Sequence, residues 1–370
     1  MSSSSQAKQT KNLHPNKVLV IGSGPVVIGQ ADDSLELSPT QPLYRPYFEP
    51  LDVMSMEIHL SDLPDEFIVK LDDTFRLRLF MGLDSRLASE QIGISRSYFY
   101  HLKNNRHGFR LSTLRKFLLF TGISLEEAEP HVGELISNRG GRVFASLPIK
   151  GTASLARLVG HCFGDGNVST KKAEFDYVNG DSGLIEQVRL DVGCCFKSGT
   201  TFEGDNRDGT YKVTFSNLIG KMLVIAGAPR GSKVFSKISV PNWILTGTSD
   251  LKQAFLQALF DDDGSALYSE KYPAMNVNLH LTRSVGVAPE FSRFWNDLKQ
   301  LLTDFGIFSS NPYVARKYFV NGNQRVVMGI LVNRKSDVRR FWEAIGFSQQ
   351  IKKKRLQLIV SRGEKIAARK

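Results

Sequence analysis

The amino-acid sequence predicts an α+β protein made of two related halves, preceded by a small all-α domain. Three observations lead to this prediction. A helical stretch ending in Asp-Gly occurs twice, as LVGHCFGDG at residues 158–166 and LQALFDDDG at residues 256–264. Strand and helix patterns alternate after each copy. Before the first copy, residues 85–128 contain short helical patterns separated by glycines. One α+β unit has therefore been used twice, behind a helical domain.

Length and composition limit the class of protein. The chain has 370 residues, enough for two or three domains, and 41% are hydrophobic. A formal net charge of +11 favours an anionic partner. The three cysteines, Cys162, Cys194 and Cys195, show no Cys-x-x-Cys spacing, which argues against a disulfide framework or a structural zinc site. Since no long apolar run or hydrophobic leader is present, a cytoplasmic protein that makes no membrane contact is predicted.

The first 31 residues differ in character from the rest. Residues 1–16 are polar, and residues 17–31 read KVLVIGSGPVVIGQA, a short strand pattern followed by a glycine turn. Val27 stands where a phosphate-binding loop would need its third glycine. Residues 17–31 resemble the opening of the carbamoyl-phosphate synthase large chain, and the resemblance stops at Ala31. We interpret residues 1–31 as a host-gene-like extension and residues 32–70 as an unassigned linker.

Residues 71–135 are predicted to form the small helical domain. Ser95 is a suitable N-cap for a helix to Lys103, Gly93 supplies the preceding turn, and Ser112 and Gly122 bracket a further helix. Residues 87–126 resemble the Cro/repressor helix-turn-helix, in which the second helix enters the DNA major groove. The resemblance implies DNA contacts by Arg96, Ser97, Tyr98, Tyr100, His101, Lys103 and Arg106.

The two halves contain further regular elements. Strands are predicted at 212–216, 275–283, 313–320 and 325–332, and helices at 183–195, 218–226, 289–305 and 336–345. In residues 275–283, apolar side chains alternate with Asn276, Asn278, His280 and Thr282. One face of this strand is therefore expected in the core, and the other is expected to be wet and hydrogen-bonding.

Two motifs at this spacing resemble the monomeric, two-repeat LAGLIDADG homing endonucleases over residues 147–356, and the phrase GAPRGSKVFSKISVPNWI at 227–244 strengthens the likeness. The resemblance divides the chain into repeats at 147–248 and 249–362 and a basic tail at 363–370. It implies curved antiparallel sheets backed by helices, with the motif helices packed on a pseudo-two-fold axis. Gly160, Gly164 and Ala258 are small enough for close packing. Asp262 departs from the usual small residue and is expected to tilt its helix or reach water.

The resemblance also implies a catalytic site. Asp165 and Asp263 would be metal-binding catalytic acids, one for each DNA strand, and paired carboxylates suit Mg²⁺ or Mn²⁺. Lys233 and Lys352 follow a glycine by six positions in each half and would stabilise charge on the phosphate. Asn167 and Ser265 are secondary candidates, whereas His161 with Cys162, and Cys194 with Cys195, are interpreted as buried packing residues. DNA contacts are expected from Asn276, Asn278, His280, Thr282, Lys353 and Lys354.

We therefore predict a monomeric, site-specific endonuclease for double-stranded DNA, encoded in an intervening element of a carbamoyl-phosphate synthase gene. An isolated Asp-Gly pair would more simply cap a turn, but two motifs with matched lysines favour catalysis. A non-cleaving LAGLIDADG regulator of DNA and an RNA-binding splicing maturase are the alternatives. Self-splicing is not expected, because Asp32 follows Ala31 and the terminal EKIAARK lacks a His-Asn pair. An intron, an intein remnant and a freestanding gene all stay open as the source.

Overall fold

The computed structural model describes residues 55–144, 146–206, 209–268, 275–287 and 291–367. The predicted extension at 1–31, and the predicted linker as far as residue 54, lie outside these ranges. None of the helices within these ranges combines the length and the apolar character needed to cross a membrane.

The first part of the described chain is a set of helices with a small antiparallel sheet. Its helices are α1 (Asp73–Phe80), α2 (Ser85–Ile92), α3 (Arg96–Lys103), α4 (Leu111–Thr121) and α5 (Leu125–Ala128). Its strands are β1 (Glu57–Ile58), β2 (Ile68–Leu71), β3 (Phe109–Arg110), β4 (Val132–Ile136), β5 (Arg142–Val143) and β6 (Ile149–Lys150). One sheet has the order β3-β2-β4-β5, and β1 pairs with β6. The expectation of an all-α domain was wrong, because strands of two to five residues are too short to show a clear alternation.

The caps of α2, α3 and α4 follow from local sequence. Asp84 accepts hydrogen bonds from the first turn of α2, and Gly93 ends that helix in the left-handed conformation, at φ 76°. The Ser95 side chain accepts from the Tyr98 N–H, which caps α3 as predicted. Helix α4 begins at Leu111, before the predicted cap at Ser112, and ends at Gly122 as expected.

Two sets of elements with the same order follow. The first contains α6 (Ala153–Phe163), β7 (Gly166–Val168), β8 (Phe175–Asn179), α7 (Ser182–Phe196), β9 (Phe202–Asp205), β10 (Tyr211–Phe215), α8 (Asn217–Ile225) and α9 (Asn242–Leu245). The second contains α10 (Ser249–Asp263), β11 (Gly264–Leu267), β12 (Asn276–Ser284), α11 (Ser292–Asp304), β13 (Tyr313–Val320), β14 (Asn323–Val332), α12 (Lys335–Ala344) and α13 (Gln350–Ala367). Their antiparallel sheets are ordered β7-β8-β10-β9 and β11-β12-β14-β13. Because the two orders are equivalent, the predicted duplication is confirmed.

Most of the predicted strands and helices in the repeats lie where the alternation placed them. Strand β13 has the predicted ends, and the other three predicted strands are shifted by one or two residues. In β12, Val277, Leu279 and Leu281 are buried, as the alternation requires. Cys162 is buried as expected. Cys194 is exposed and Cys195 is half-buried, so the expectation that both are buried was wrong.

The motif helices α6 and α10 pack directly against each other at the centre of the two repeats. A methyl group on Gly160 would lie 2.6 Å from the Phe255 carbonyl oxygen and 2.9 Å from the Ala258 Cβ. Glycine is therefore required for this spacing between the backbones, as the sequence predicted. The consequence is that the C-terminal ends of both helices, which carry Asp165 and Asp263, lie next to each other.

Candidate functional site

Asp165 and Asp263 occupy equivalent places in the two repeats. Asp165 lies between the end of α6 and the start of β7, and Asp263 is the last residue of α10, before β11. Burial and the negative charge of Asp165 raise the pKa of Asp263 to about 7. The two carboxyl groups therefore lie near enough for the charge of Asp165 to act on Asp263.

Asp165 is open to solvent on one side, while the surrounding protein removes part of its hydration. This desolvation and the neighbouring charge of Asp262 raise the pKa of Asp165 to about 6. Asn179, the last residue of β8, donates a 2.9 Å hydrogen bond from Nδ2 to Asp165 Oδ2. The Asp165 carboxylate is therefore both oriented by the protein and accessible to a ligand.

The donor atoms at this site suit a hard divalent cation. Magnesium commonly takes one or two protein carboxylates and completes its shell with water and substrate phosphate oxygens. Within the described ranges, no group of three or more His, Cys, Asp or Glu residues is arranged to hold a metal by itself. The pair Asp165 and Asp263 therefore fits a cation shared with a phosphate, and it does not form an all-protein cage.

Lys233 and Lys352 lie at the C-terminal ends of the motif helices. The Lys233 ammonium donates to the carbonyl of Gly164 and, at 2.8 Å, to that of Gly166. The Lys352 ammonium donates to the carbonyls of Phe260 at 3.3 Å and Asp262 at 3.1 Å, and also to that of Asp261. Carbonyls at a helix C-terminus favour a cation.

Both ammonium groups are partly buried and belong to the same electrostatic cluster as the acids. Burial lowers the pKa of each lysine, while the nearby aspartates oppose that shift. Each lysine also counteracts the rise in the pKa of Asp165. The matched offset of the two lysines in the sequence thus corresponds to matched positions beside the acids.

Asp262 does not reach water, so that part of the expectation was wrong. Its side chain is fully buried and lies 3.0 Å from His161 Nδ1. Burial alone would lower the pKa of His161, but the Asp262 carboxylate outweighs this effect and the pKa is raised. His161 is buried as predicted, yet it is a partner of this carboxylate and not an ordinary packing residue. In the sequence, the only indication of this contact is Asp262 itself, an acid at a motif position where a small residue is usual.

Arg283, at the end of β12, is a further site residue that the sequence analysis missed. It is 3% exposed, and its guanidinium lies 4.1 Å from the centre of the Phe291 ring. Its charge opposes the raised pKa of Asp263, and burial lowers the pKa of Arg283 itself to about 10. Its Nε and Nη2 atoms have no hydrogen-bond partner among the described residues. Only its place at the end of an otherwise alternating strand could have drawn attention to it.

The residues expected to contact DNA are partly confirmed as accessible. On β12, Asn276, His280 and Thr282 are half-buried, but Asn278 is buried at 5% exposure, so its expected place on a wet face was wrong. Strand β13, at the edge of the sheet and separated from β12 by β14, contributes Tyr313, whose hydroxyl lies 2.8 Å from His280 Nε2. Asn167 and Ser265 are half-buried in β7 and β11.

Two other predicted DNA-contact groups lie on helices. On α3, Phe99 and Leu102 face the core. The predicted contact residues on the remaining faces of α3 are half-buried (Tyr98 and His101) or exposed (Arg96, Ser97, Tyr100 and Lys103). Lys353 and Lys354 are exposed near the start of α13, directly after Lys352.

Comparison with known proteins identifies the second repeat. Residues 250–346 match the family model described as a LAGLIDADG-like domain. This segment extends from the start of α10 to the end of α12 and includes Asp263 and the second sheet. The second repeat is therefore similar, over this segment, to a LAGLIDADG-like domain.

The chain is also similar to parts of larger proteins. It is 24% identical over 220 residues to tRNA-splicing ligase RtcB of Methanopyrus kandleri, covering 54% of this chain and 21% of that protein. It is 24% identical over 264 residues to RtcB of Pyrococcus abyssi, covering 67% and 28%. With the replication factor C small subunit of Methanocaldococcus jannaschii the identity is 27% over 206 residues, covering 56% and 10%. The chain thus spans less than a third of the length of each of these relatives.

Two solved structures are similar to parts of this chain. Full-length DUF199/WhiA from Thermatoga maritima has a TM-score of 0.35 and 15% identity, with 57% of this chain and 60% of that chain covered. The homing endonuclease I-DmoI in complex with DNA and Ca has a TM-score of 0.34 and 10% identity, with 52% and 88% covered.

Proposed function

We propose that this chain is a site-specific endonuclease that hydrolyses phosphodiester bonds of double-stranded DNA with a divalent metal, Mg²⁺ or Mn²⁺. The observation that carries the proposal is the juxtaposition of Asp165 and Asp263 at the ends of two packed helices, where each repeat supplies one acid and one lysine. Repulsion between the two carboxylates, and between the two ammonium groups, costs folding free energy. A bound cation would neutralise the carboxylates, and a bound phosphate would neutralise the ammonium groups.

In this function Asp165 and Asp263 hold the metal. When bound, the cation would supply an activated water and neutralise charge on the leaving 3′ oxygen. Asn179 orients the Asp165 carboxylate through its amide. Lys233 and Lys352 place fixed positive charge beside the acids, where it stabilises negative charge that develops on the phosphate.

The proposed substrate is a long DNA duplex. A net charge of +11 supplies general attraction to phosphate. The half-buried polar face of β12, the outer faces of α3 and the exposed Lys353 and Lys354 are the proposed contacts, with α2 and α3 acting as an accessory clamp. The chain is proposed to act as a monomer, because its own two repeats provide both acids.

The relatives support an origin in a mobile element. Their names describe RNA ligation and DNA replication. These activities have little in common, and each protein shares only a minor part of its length with this chain. An element inserted in different host genes accounts for this pattern. The resemblance of residues 17–31 points to a carbamoyl-phosphate synthase gene as the host here.

Cleavage of defined duplexes tests the function. The purified protein with Mg²⁺ should cut a duplex spanning the host codons after Ala31, and it should leave a scrambled duplex intact. Asp165→Asn and Asp263→Asn should each slow cleavage by roughly 100-fold or more while binding persists. Asp250→Asn is the matched control, since Asp250 lies exposed at the opposite end of α10.

The other outcomes separate the alternatives. If the junction duplex is not preferred, selection from a randomised duplex library shows whether another target is cut. Specific DNA binding with no cleavage of any library member would overturn the nuclease proposal in favour of a regulator. Stimulated splicing of an intron RNA, again without DNA cleavage, would instead favour a maturase.

A further inference from the structure

Asp262 belongs to the second repeat, but the hydrogen bonds to its carboxylate come from the first. Oδ2 accepts from the Asp165 backbone N–H at 3.0 Å, and Oδ1 accepts from the Tyr177 hydroxyl at 2.8 Å. The His161 Nδ1 atom lies 3.1 Å from Oδ1 and 3.0 Å from Oδ2. One carboxylate therefore joins the end of α6, the start of β7 and the strand β8 to the end of α10.

The space for this carboxylate exists because Gly164 has no side chain. A methyl group on Gly164 would lie 2.4 Å from both Cβ and Oδ2 of Asp262. Gly164 and Asp262 hold equivalent places before the two acids of the site, Asp165 and Asp263. The repeats thus differ at this position. Asp262 at the end of α10 supplies a carboxylate, and Gly164 after α6 leaves the space that the carboxylate occupies.

The contacts of Asp262 continue to the carboxylate of Asp165. The Asn179 amide donates to Asp165 Oδ2 at 2.9 Å and lies 3.3 Å from the Tyr177 hydroxyl. Asp165 is therefore held at its backbone by Asp262 and at its side chain by Asn179. For Asp263 the neighbouring cations outside the motifs are Lys233 and Arg283, which act through their charge. The two acids are held by different means.

A purely structural role accounts poorly for Asp262. A buried carboxylate needs compensating partners and adds negative charge next to a proposed phosphate site, whereas a small residue at this place would permit close helix packing without that cost. The hydrogen bonds that Asp262 accepts orient the first repeat, which carries Asp165.

We propose that Asp262 is a positioning residue that fixes Asp165 for cutting one of the two DNA strands, so that the two strands depend on Asp262 unequally. This inference rests on the proposed nuclease function. It concerns how Asp165 is held before any ligand binds, and misplacing a reacting group by about 1 Å can slow a reaction 100-fold.

The test uses the full chain and a duplex that the wild type cuts, with a different fluorophore on each strand. In Asp262→Asn, which keeps the shape of the side chain, we expect one strand to be cut about 10- to 100-fold more slowly and the other less than about threefold more slowly. Asn179→Ala should slow the same strand, because it removes the second contact to Asp165.

Asp191→Asn is the matched control. Asp191 is another buried carboxylate of the first repeat, 2% exposed, and it accepts from Arg157 Nη1 at 3.0 Å. The substitution should lower the melting temperature and change the cleavage rates of both DNA strands by the same factor. Hydrogen exchange of the metal-free, DNA-free protein provides a readout independent of activity. Exchange in a peptide that contains the Asp165 amide should become faster in Asp262→Asn and stay unchanged in Asp191→Asn.

The outcomes are distinguishable. A wild type that cuts neither strand of any duplex rejects the nuclease function and this inference with it. A wild type that cuts, combined with an Asp262→Asn variant that slows both strands equally or leaves Asp165 exchange unchanged, rejects the positioning role alone.

Discussion

Lys233 of the first repeat and Lys352 of the second hold equivalent positions, because each ammonium donates to backbone carbonyls at the C-terminal end of the motif helix in its own repeat. The contacts fix both cations beside Asp165 and Asp263. A pre-oriented charge need not be reorganised when the phosphate becomes more negative during reaction. Each lysine should therefore contribute to the rate of cleavage.

Replacing either lysine by methionine should reduce the rate of cleavage and leave DNA affinity nearly intact. We expect single-turnover cleavage by Lys233→Met or Lys352→Met to fall by about 100-fold, the effect of removing one pre-oriented charge. Lys353→Met is the control, since Lys353 is exposed beside Lys352. It should weaken binding in a salt-dependent manner and keep the rate of the bound complex. A Lys352→Met variant that cuts at the wild-type rate once bound would contradict the assignment.

The stability of the metal-free protein should fall as pH rises through 7. The folded protein retains a proton on Asp263 to about pH 7, whereas the unfolded chain loses it near the ordinary value of 3.8. The contribution of the Asp263 carboxyl group to the free energy of unfolding is therefore complete below about pH 4 and is lost as pH rises through 7. Asp263→Asn should raise the melting temperature at pH 8 by roughly 5 °C and have little effect at pH 4.

Magnesium supplies the control for that prediction. At pH 8 the cation should raise the melting temperature of the wild type and have a much smaller effect on Asp263→Asn, because binding to the folded state is lost with the carboxylate. Calorimetry in a chelator and then in Mg²⁺ measures both effects. A wild type whose stability is equal at pH 5 and pH 8 in chelator would argue against the raised pKa.

Gly160→Ala should destabilise the protein. The new methyl group would meet the Phe255 carbonyl at 2.6 Å, so α6 and α10 would have to move apart, and overpacking of this kind typically costs 1 to 3 kcal/mol, here about 2 kcal/mol of unfolding free energy. Gly193→Ala in α7 is the control, because no atom lies within 4 Å of its added methyl. That change should be neutral or stabilising by roughly 0.5 kcal/mol. Urea unfolding of both variants decides whether helix contact is the cause.

Arg96→Gln should weaken DNA binding through the loss of a phosphate or base contact from α3. The expected result is a severalfold weaker affinity and, for a phosphate contact, a salt dependence reduced by about one unit of slope. Lys116→Gln on α4 serves as the control, since Lys116 is exposed outside the proposed clamp. Equal losses in the two variants would indicate general electrostatic attraction without a specific contact by α3.

Local sequence patterns predicted much of the described fold. Period-two alternation located β12 and β13, and serine and glycine caps located α3, because these signals depend on near neighbours in the chain. The short strands β3 and β5 were missed, since two residues cannot display a period. The buried position of Asn278 was missed because alternation describes the faces of a strand and not what covers each face.

The repeat of one unit, with an aspartate and a lysine at matching positions in each copy, can be read from the chain alone. How these residues are held depends on the three-dimensional packing. Asp262 meets His161, 101 residues away along the chain, and Arg283 meets the charge of Asp263 from a separate strand. Such contacts depend on which backbones approach closely, and that is set by the packing of α6 on α10, which no local pattern records.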